Sequence, residues 1–311
     1  MALSYMGSKR RIAKYLYNII ASREGGAGIF VDLFCGGLSM SEMFANHNWD
    51  VVANDADKYL VAFLRDIMTN APWLTSELIK PAFVNRGTFE HVALNPDIYP
   101  AAFVGYINTT WSFGNNGRSY MYGKKTEPIQ HAAHDYIVYN EPDKLLELLE
   151  ERDLSISTKC FMDMLKIPIL DYEKRRLMLQ REACHYKDHR FRELERILHL
   201  SQINNIRETM GLKIKRLSCS DYRDVDIPSG AVIYCDPPYR NTTRYSFSDF
   251  DSDEFWQWAQ RQSRRASVYV SEETAPEGWV SIYERPLSRT MASNGTRKPA
   301  IEKLYIYGDN R

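Results

Sequence analysis

Cysteine is scarce in this sequence: five in 311 residues, at positions 35, 160, 184, 219 and 235. The number is odd and no CxxC pair occurs, which argues against both a disulfide framework and a zinc ribbon and fits a reducing compartment. No apolar run approaches the roughly 18 residues that a bilayer-crossing helix needs. The basic opening MALSYMGSKRR is followed by no apolar segment of the signal-peptide kind, so a soluble intracellular protein is expected. Neither sign of charge is in excess, since Lys+Arg 40 balances Asp+Glu 40. Without a net basic field, attraction to phosphate has to come from local patches. Internal repeats and low-complexity tracts are also missing, which excludes solenoids and fibres. What remains is ordinary globular usage, 44% hydrophobic and 26% charged, with a generous 13% of aromatics.

The length suits one large domain or two smaller ones, and the pattern falls into three parts. In residues 1–112, two short apolar runs, Ile29 to Phe34 and Val51 to Ala53, read as buried strands. Helical stretches follow each, around Ser39 to Ala45 and Lys58 to Thr69. Residues 113–213 open on a Gly/Asn/Tyr loop, SFGNNGRSYMYGKK. Charged helical patterns follow at Asp143 to Arg152, Tyr172 to Tyr186 and Phe191 to Leu198. Basic residues gather among them at Lys174, Arg175, Arg176, Arg181, Lys187, Arg190 and Arg192. In residues 214–311 strands return: Ala231 to Cys235, Ser267 to Ser271, Val280 to Glu284 and Lys303 to Tyr307, with a helix over Asp253 to Arg265. The expectation is one α/β sheet built from two separated halves, 1–112 and 214–311, with a mainly helical domain, 113–213, inserted between them.

Three constellations carry chemistry. In the first, a strand ends at Asp32 and turns through Leu33, Phe34, Cys35 and the paired Gly36 and Gly37 into a helix. Glycines let backbone approach a ligand closely, and a helix N-terminus offers unpaired N–H groups. The spacing is not GxGxxG, so a dinucleotide pyrophosphate is disfavoured. The second, Asn54-Asp55-Ala56-Asp57, follows the next strand about 20 residues later, where a carboxylate can accept both hydroxyls of a ribose. A helix N-cap is the competing use of an Asp there.

The third and sharpest is Asp236-Pro237-Pro238-Tyr239, directly after the apolar run AVIYC. Two prolines end the strand abruptly and stiffen the turn. The turn presents a carboxylate, a carbonyl and an aromatic ring at a sheet end, where open α/β folds bind ligands. Carboxylate and carbonyl are both pure acceptors, suited to the two hydrogens of a planar amino group, and the ring can stack on the heterocycle that bears it.

Taken together these residues resemble the S-adenosylmethionine-dependent DNA adenine-N6 methyltransferases of the Dam-like D12 class, in motif order as well as content. The resemblance implies a Rossmann-like class I methyltransferase fold, a mixed sheet of seven strands, with 113–213 as the target-recognition domain. Tyr5, Met6, Gly7, Ser8 and Lys9 resemble the segment that closes over the methionine end of the cofactor. Asp32 to Gly37 resemble its glycine-rich loop, Asp55 with Ala56 its ribose site, and Ser220-Asp221-Tyr222 the segment that holds its adenine. Asp236, Pro237, Pro238 and Tyr239 match the catalytic tetrapeptide, and Arg289 to Tyr307, with Glu302-Lys303-Leu304 near its end, resembles the closing hairpin. Asn115, Asn116, Arg118, Tyr120, Lys124 and Lys125 are the expected DNA contacts, Asn116 and Arg118 nearest the target base pairs.

The resemblance further implies S-adenosyl-L-methionine as cofactor, no metal, and double-stranded DNA as partner, with the target base flipped out of the helix. It also implies a cytoplasmic enzyme of bacterial or phage origin, a monomer or weak dimer, with any cognate restriction endonuclease acting separately. Cys35 and Cys235 read as small core residues rather than nucleophiles. The rivals are an N4-cytosine DNA methyltransferase, a methyltransferase of RNA or of protein glutamine, and an inactive homologue that binds DNA without turnover.

Overall fold

A computed structural model describes residues 8–69, 71–74, 82–115, 117–139, 141, 143–150, 214–238, 250–287 and 300–308. Seven strands among them form one sheet: β1 (Ile29–Asp32), β2 (Asp50–Asn54), β3 (Ile214–Ser218), β4 (Val232–Cys235), β5 (Ser267–Glu272), β6 (Trp279–Leu287) and β7 (Ala300–Tyr307). Their order is β3-β2-β1-β4-β5-β7-β6. Strands β1 to β5 pair in parallel, and β7 runs antiparallel to both β5 and β6. This is the mixed seven-stranded sheet expected, and its halves do come from the two ends of the chain. Strand β3 was not among the expected strands. Its sequence, IKRLS, alternates charge instead of forming an apolar run, because it lies at the sheet's edge against β2 alone.

The β1 and β4 runs read as buried on both faces, and they are: Phe30, Val31, Val232, Ile233, Tyr234 and Cys235 all lie in the core. Successive side chains point to opposite faces. Phe30 stacks on Phe44 of helix α2 (Ser39–Asn46), centroids 3.6 Å apart. Val31, Leu33, Ile233 and Val268 join instead a cluster with Phe255, Trp258 and Ala259 of a helix on the other face, Ser252–Gln262. That helix starts where Asp251 accepts from the N–H groups of Asp253 and Glu254. Removing a ring such as Phe255 from this layer costs about 3–5 kcal/mol.

Helix α1 (Ala13–Glu24) precedes β1, and α3 (Lys58–Met68) follows β2. In α3 the apolar positions Leu60, Phe63, Leu64 and Ile67 recur at helical spacing and are buried.

By contacts the chain divides into two compact units, Met1–Arg65 with Ile206–Arg311, and Asp66–Asn205. The first of these divisions falls at 65–66, and the change of sequence character at 112–113 lies inside the second unit. Residues 82–94 are tied to the following loop: Tyr120 Oη donates to Val84 O over 2.6 Å, and Arg86 N–H donates to Glu127 over 2.9 Å. The second unit is helical where described, through α4 (Arg86–Leu94), α5 (Ala101–Thr110), α6 (Glu127–Tyr139) and α7 (Asp143–Glu150). The helix Ser252–Gln262 is therefore α8. The helical patterns expected over 172–186 and 191–198, with their basic residues, lie outside the described residues.

Candidate active site

Sheet order reverses at β1, which has β2 on one side and β4 on the other. Chain segments leaving the C-terminal ends of β1 and β4 diverge there, and such a switch point is where open α/β sheets bind ligands. Asp32 is paired in register with Tyr234, and Leu33 N–H donates to Tyr234 O over 3.1 Å. The residues after β1 thus begin directly beside the strand that leads to Asp236.

Asp32 is 1% exposed. Its Oδ2 accepts from Ser41 N–H at 3.1 Å and Ser41 Oγ at 2.7 Å, which ties β1 to α2. Its Oδ1 has no hydrogen-bond partner among the described residues. Burial pushes the Asp32 pKa up to about 7; the Ser41 bond works the other way, and the negative fields of Asp236 and Asp55 add to the rise. Between Asp32 and α2 the loop is held on its other side too, by Cys35 N–H on Asn54 O at 2.8 Å. Gly36 has φ 46, and Leu38 holds the left-handed conformation at φ 66, which is uncommon for a branched residue and typical of backbone constrained at a site.

Asp55 was read as a ribose acid, with helix capping as its competing use. Capping falls to Asp57, whose Oδ1 accepts from Tyr59 N–H and Leu60 N–H at 2.9 and 3.1 Å. Asp55 faces the loop instead: Oδ2 accepts from Gly36 N–H at 2.9 Å and Oδ1 from Asp57 N–H at 3.0 Å. Burial pushes its pKa up to about 6, with those N–H bonds opposing. Asn54, mentioned above only as part of the motif, proves central. Its buried amide donates to Leu33 O and Ser220 O and accepts from Ser218 Oγ and Ser220 N–H, all within 3.1 Å. It therefore joins the ends of β1, β2 and β3. Ala56 lies on the same turn, its carbonyl 3.9 Å from Cys219 Sγ.

Asp221 accepts from Arg223 N–H and Nε at 2.9 and 2.7 Å, which lowers its pKa. Tyr222 is buried in a ring cluster with Phe34 at 5.6 Å and Phe255 at 5.5 Å. The thiols of Cys35 and Cys235 are buried and held well above the usual range by burial, so they stand as neutral core groups.

Asp236 follows β4 directly, with Pro237 buried and Pro238 half-buried. Its Oδ1 lies 2.8 Å from Lys9 Nζ, and Lys9 Nζ lies 3.2 Å from Glu302 Oε1 in β7. Lys9 begins a 3-10 turn, Lys9–Arg11, whose cap Ser8 is hydrogen-bonded through Oγ to Ser39 Oγ at 2.7 Å. Burial lowers the Lys9 pKa; the carboxylates of Asp236 and Glu302 outweigh it and hold the ammonium above the usual lysine range. For Asp236, burial raises the pKa, Lys9 pulls it down and Glu302 pushes it up, with a net rise. The ion triad was not foreseen: its members stand at 9, 236 and 302, and no local pattern links them. Tyr5, Met6, Gly7 and Tyr239 lie outside the described residues.

In the second unit, the Gly/Asn/Tyr loop folds back on itself. Phe113 N–H donates to Ser119 O at 2.7 Å and Met121 N–H to Trp111 O at 2.9 Å. Arg118, Lys124 and Lys125 are exposed. Asn115 ends the turn Phe113–Asn115, and Asn116 lies outside the described residues. Tyr120, expected among the DNA contacts, is instead 7% exposed, bonded to Val84 O and covered by the Arg86 guanidinium at 4.9 Å. Its side chain packs within the unit.

No group of His, Cys, Asp and Glu suited to a metal ion occurs among the described residues, nor does any helix long and apolar enough to cross a membrane. The family model of the D12 class N6 adenine-specific DNA methyltransferases matches residues 5–289. None of the curated proteins searched matches the chain.

Proposed function

The chain belongs to the D12 class N6 adenine-specific DNA methyltransferases, enzymes that methylate the N6 amino group of adenine in DNA, and on that premise we propose that Asp236 is its catalytic acceptor, S-adenosylmethionine its methyl donor and a flipped adenine its substrate. The observation that carries this reading is the place of Asp236: a carboxylate at the end of β4, beside the glycine loop of β1 and ion-paired to a buried lysine.

The residues around the loop fit a cationic cofactor. Asp32, Asp55 and Asp236 bring three carboxyl groups together, two of them felt by Asp32 through their charge, and Asp32 keeps a buried oxygen without a hydrogen-bond partner among the described residues. A cation brought beside carboxyl groups whose pKa burial has raised returns them to the ionised form, so the cluster favours a positively charged ligand. Asp55 would hold the ribose hydroxyls through the lone pairs that its two N–H bonds leave over. Half-buried Phe34 would offer a ring face for the adenine, with Tyr222 packed behind it. S-adenosylmethionine, when bound, supplies an electrophilic methyl group.

The N6 lone pair of adenine is delocalised into its ring and is a poor nucleophile. Asp236 and the Pro237 carbonyl accept its two hydrogens and favour the pyramidal amine. As positive charge grows on N6, the Asp236 carboxylate binds the transition state more strongly than the ground state, the condition for catalysis. No covalent enzyme intermediate is needed, which agrees with the neutral thiols. A base stacked in a duplex cannot reach this corner, so it has to be flipped out, at a cost of a few kcal/mol. Tyr239 is the proposed stacking partner. Arg118, Lys124 and Lys125, with Asn115 and Asn116, are the proposed DNA contacts.

The test is direct. Duplex DNA incubated with the protein and labelled S-adenosylmethionine is digested to nucleosides and weighed. N6-methyl-2′-deoxyadenosine is expected from the wild-type chain and none from Asp236→Ala, whose cofactor Kd stays within a few-fold. Methyl on cytosine N4, or full activity in Asp236→Ala, overturns the reading.

A further inference from the structure

The ion pair between Lys9 and Asp236 poses a problem for the proposed chemistry. An ammonium 2.8 Å from the acceptor carboxylate keeps it ionised, but it also cancels the charge meant for N6 and repels the positive charge that develops there. Glu302 changes that balance. It sits on β7, two strands away from β4 in the sheet, with its side chain 2% exposed. A glutamate so buried is rare unless it is paired. Its carboxylate lies 3.2 Å from the same ammonium, so that the lysine is shared between two acids and the triad carries one net negative charge.

We propose that Glu302 is a positioning residue for methyl transfer, acting through Lys9: by taking a share of the ammonium it fixes the Lys9 side chain and leaves Asp236 an acceptor whose charge is not cancelled. This rests on the reading of Asp236 as the acceptor. Lys9 tightens the position of Asp236, and Glu302 tightens that of Lys9. Strand β7, whose Glu302-Lys303-Leu304 resembles the closing hairpin, is thereby connected to the chemistry at the end of β4.

Among the described residues, the groups that face Asp236 come from four elements: Lys9 from the 3-10 turn, Glu302 from β7, Asp32 from the end of β1, and Tyr234 with Cys235 from β4 itself. Of these, Lys9 lowers the proton affinity of Asp236 and Glu302 raises it. Removing each therefore moves the ionisation of Asp236 in opposite directions, an effect that general loss of packing does not produce.

The experiment measures single-turnover methyl transfer to duplex DNA across pH, at saturating S-adenosylmethionine, for wild type, Glu302→Gln, Glu302→Asp, Lys9→Gln and Asp236→Asn. Glu302→Gln is expected to lower the plateau rate about 10- to 100-fold and to move the acid limb to lower pH. Glu302→Asp, which keeps the charge, recovers part of the rate. Lys9→Gln moves the acid limb to higher pH. A wild-type rate and an unmoved limb in Glu302→Gln overturn the inference, as does a limb that moves upward. Should Glu302→Gln fail to fold, an unmoved limb in Lys9→Gln overturns it from the other end of the link. The underlying reading fails separately, if Asp236→Asn keeps its rate; an inactive Asp236→Asn beside an unaffected Glu302→Gln removes the inference alone.

Discussion

Gly36 N–H donates to Asp55 Oδ2 over 2.9 Å, so the loop that follows β1 is held in place by the acid that follows β2. The side chain proposed to receive the cofactor's ribose is thus also the one that shapes the loop beside it. On that proposal, ligand affinity and loop geometry depend on a single carboxylate.

Replacing Asp55 by Ala removes both functions. The expected result is a cofactor Kd weakened by at least about tenfold, or roughly 1.4 kcal/mol, with residual methyl transfer at saturating cofactor. Titration calorimetry measures the first quantity and a methyl-transfer assay the second. An unchanged Kd removes Asp55 from the cofactor site.

Asp32 gives the folded state a pH dependence of known sign. Its pKa rises from the ordinary 3.8 to about 7 on folding, so the native state holds a proton there that the unfolded chain gives up. The stability tied to that proton is fully present below the unfolded value and is lost as pH rises through the folded one. Asp32→Asn keeps an acceptor for Ser41 but cannot ionise. The melting temperature of the wild type relative to this variant is therefore expected to fall between about pH 4 and pH 7. A difference that stays constant across that window contradicts the burial of a titrating Asp32.

Methyl transfer has its own pH dependence. In the proposed mechanism Asp236 acts as the ionised carboxylate, and burial, only partly offset by Lys9, raises its pKa. The acid limb of kcat is accordingly expected above the ordinary aspartate range near about 4. A rate that stays flat down to that range shows that the ionisation of Asp236 does not control the chemistry.

Gly117 tests the loop of the second unit. It has φ +67, and a Cβ built there stands 2.8 Å from Asn108 Cγ. Gly117→Ala is expected to cost that loop on the order of 1–3 kcal/mol of strain. DNA affinity, followed by fluorescence anisotropy, should drop several-fold while the cofactor Kd holds. Unchanged DNA affinity separates this loop from DNA binding.

Much of the site could be read in the chain because its pieces are local. The apolar runs that end at Asp32 and Cys235, the glycines after one and the prolines after the other mark strand ends, and strand ends of a parallel sheet lie on one edge. The expected strand starting at Ile29 proved shorter than the run suggested. After Asp32 the backbone turns to bond Tyr234 and Asn54 rather than continue the ladder. Strand β3 escaped notice because an edge strand of alternating charge has no apolar run to reveal it. The burial of Tyr120 could not be read from its polar loop, because it comes from packing against Val84 and Arg86.

By itself the amino-acid order determined which backbone segments turn, which strands are buried on both faces, and which acids stand at strand ends. These are properties of neighbouring residues, set by steric limits on proline and glycine and by the period of the side chains. Tertiary structure alone decided what each acid does: that Asp57 caps a helix while Asp55 holds a loop, and that Lys9, Asp236 and Glu302 share one proton-rich contact. The reason is physical. The charge state of a buried group depends on partners brought within about 3–4 Å by the sheet, and sequence separation carries no trace of that distance.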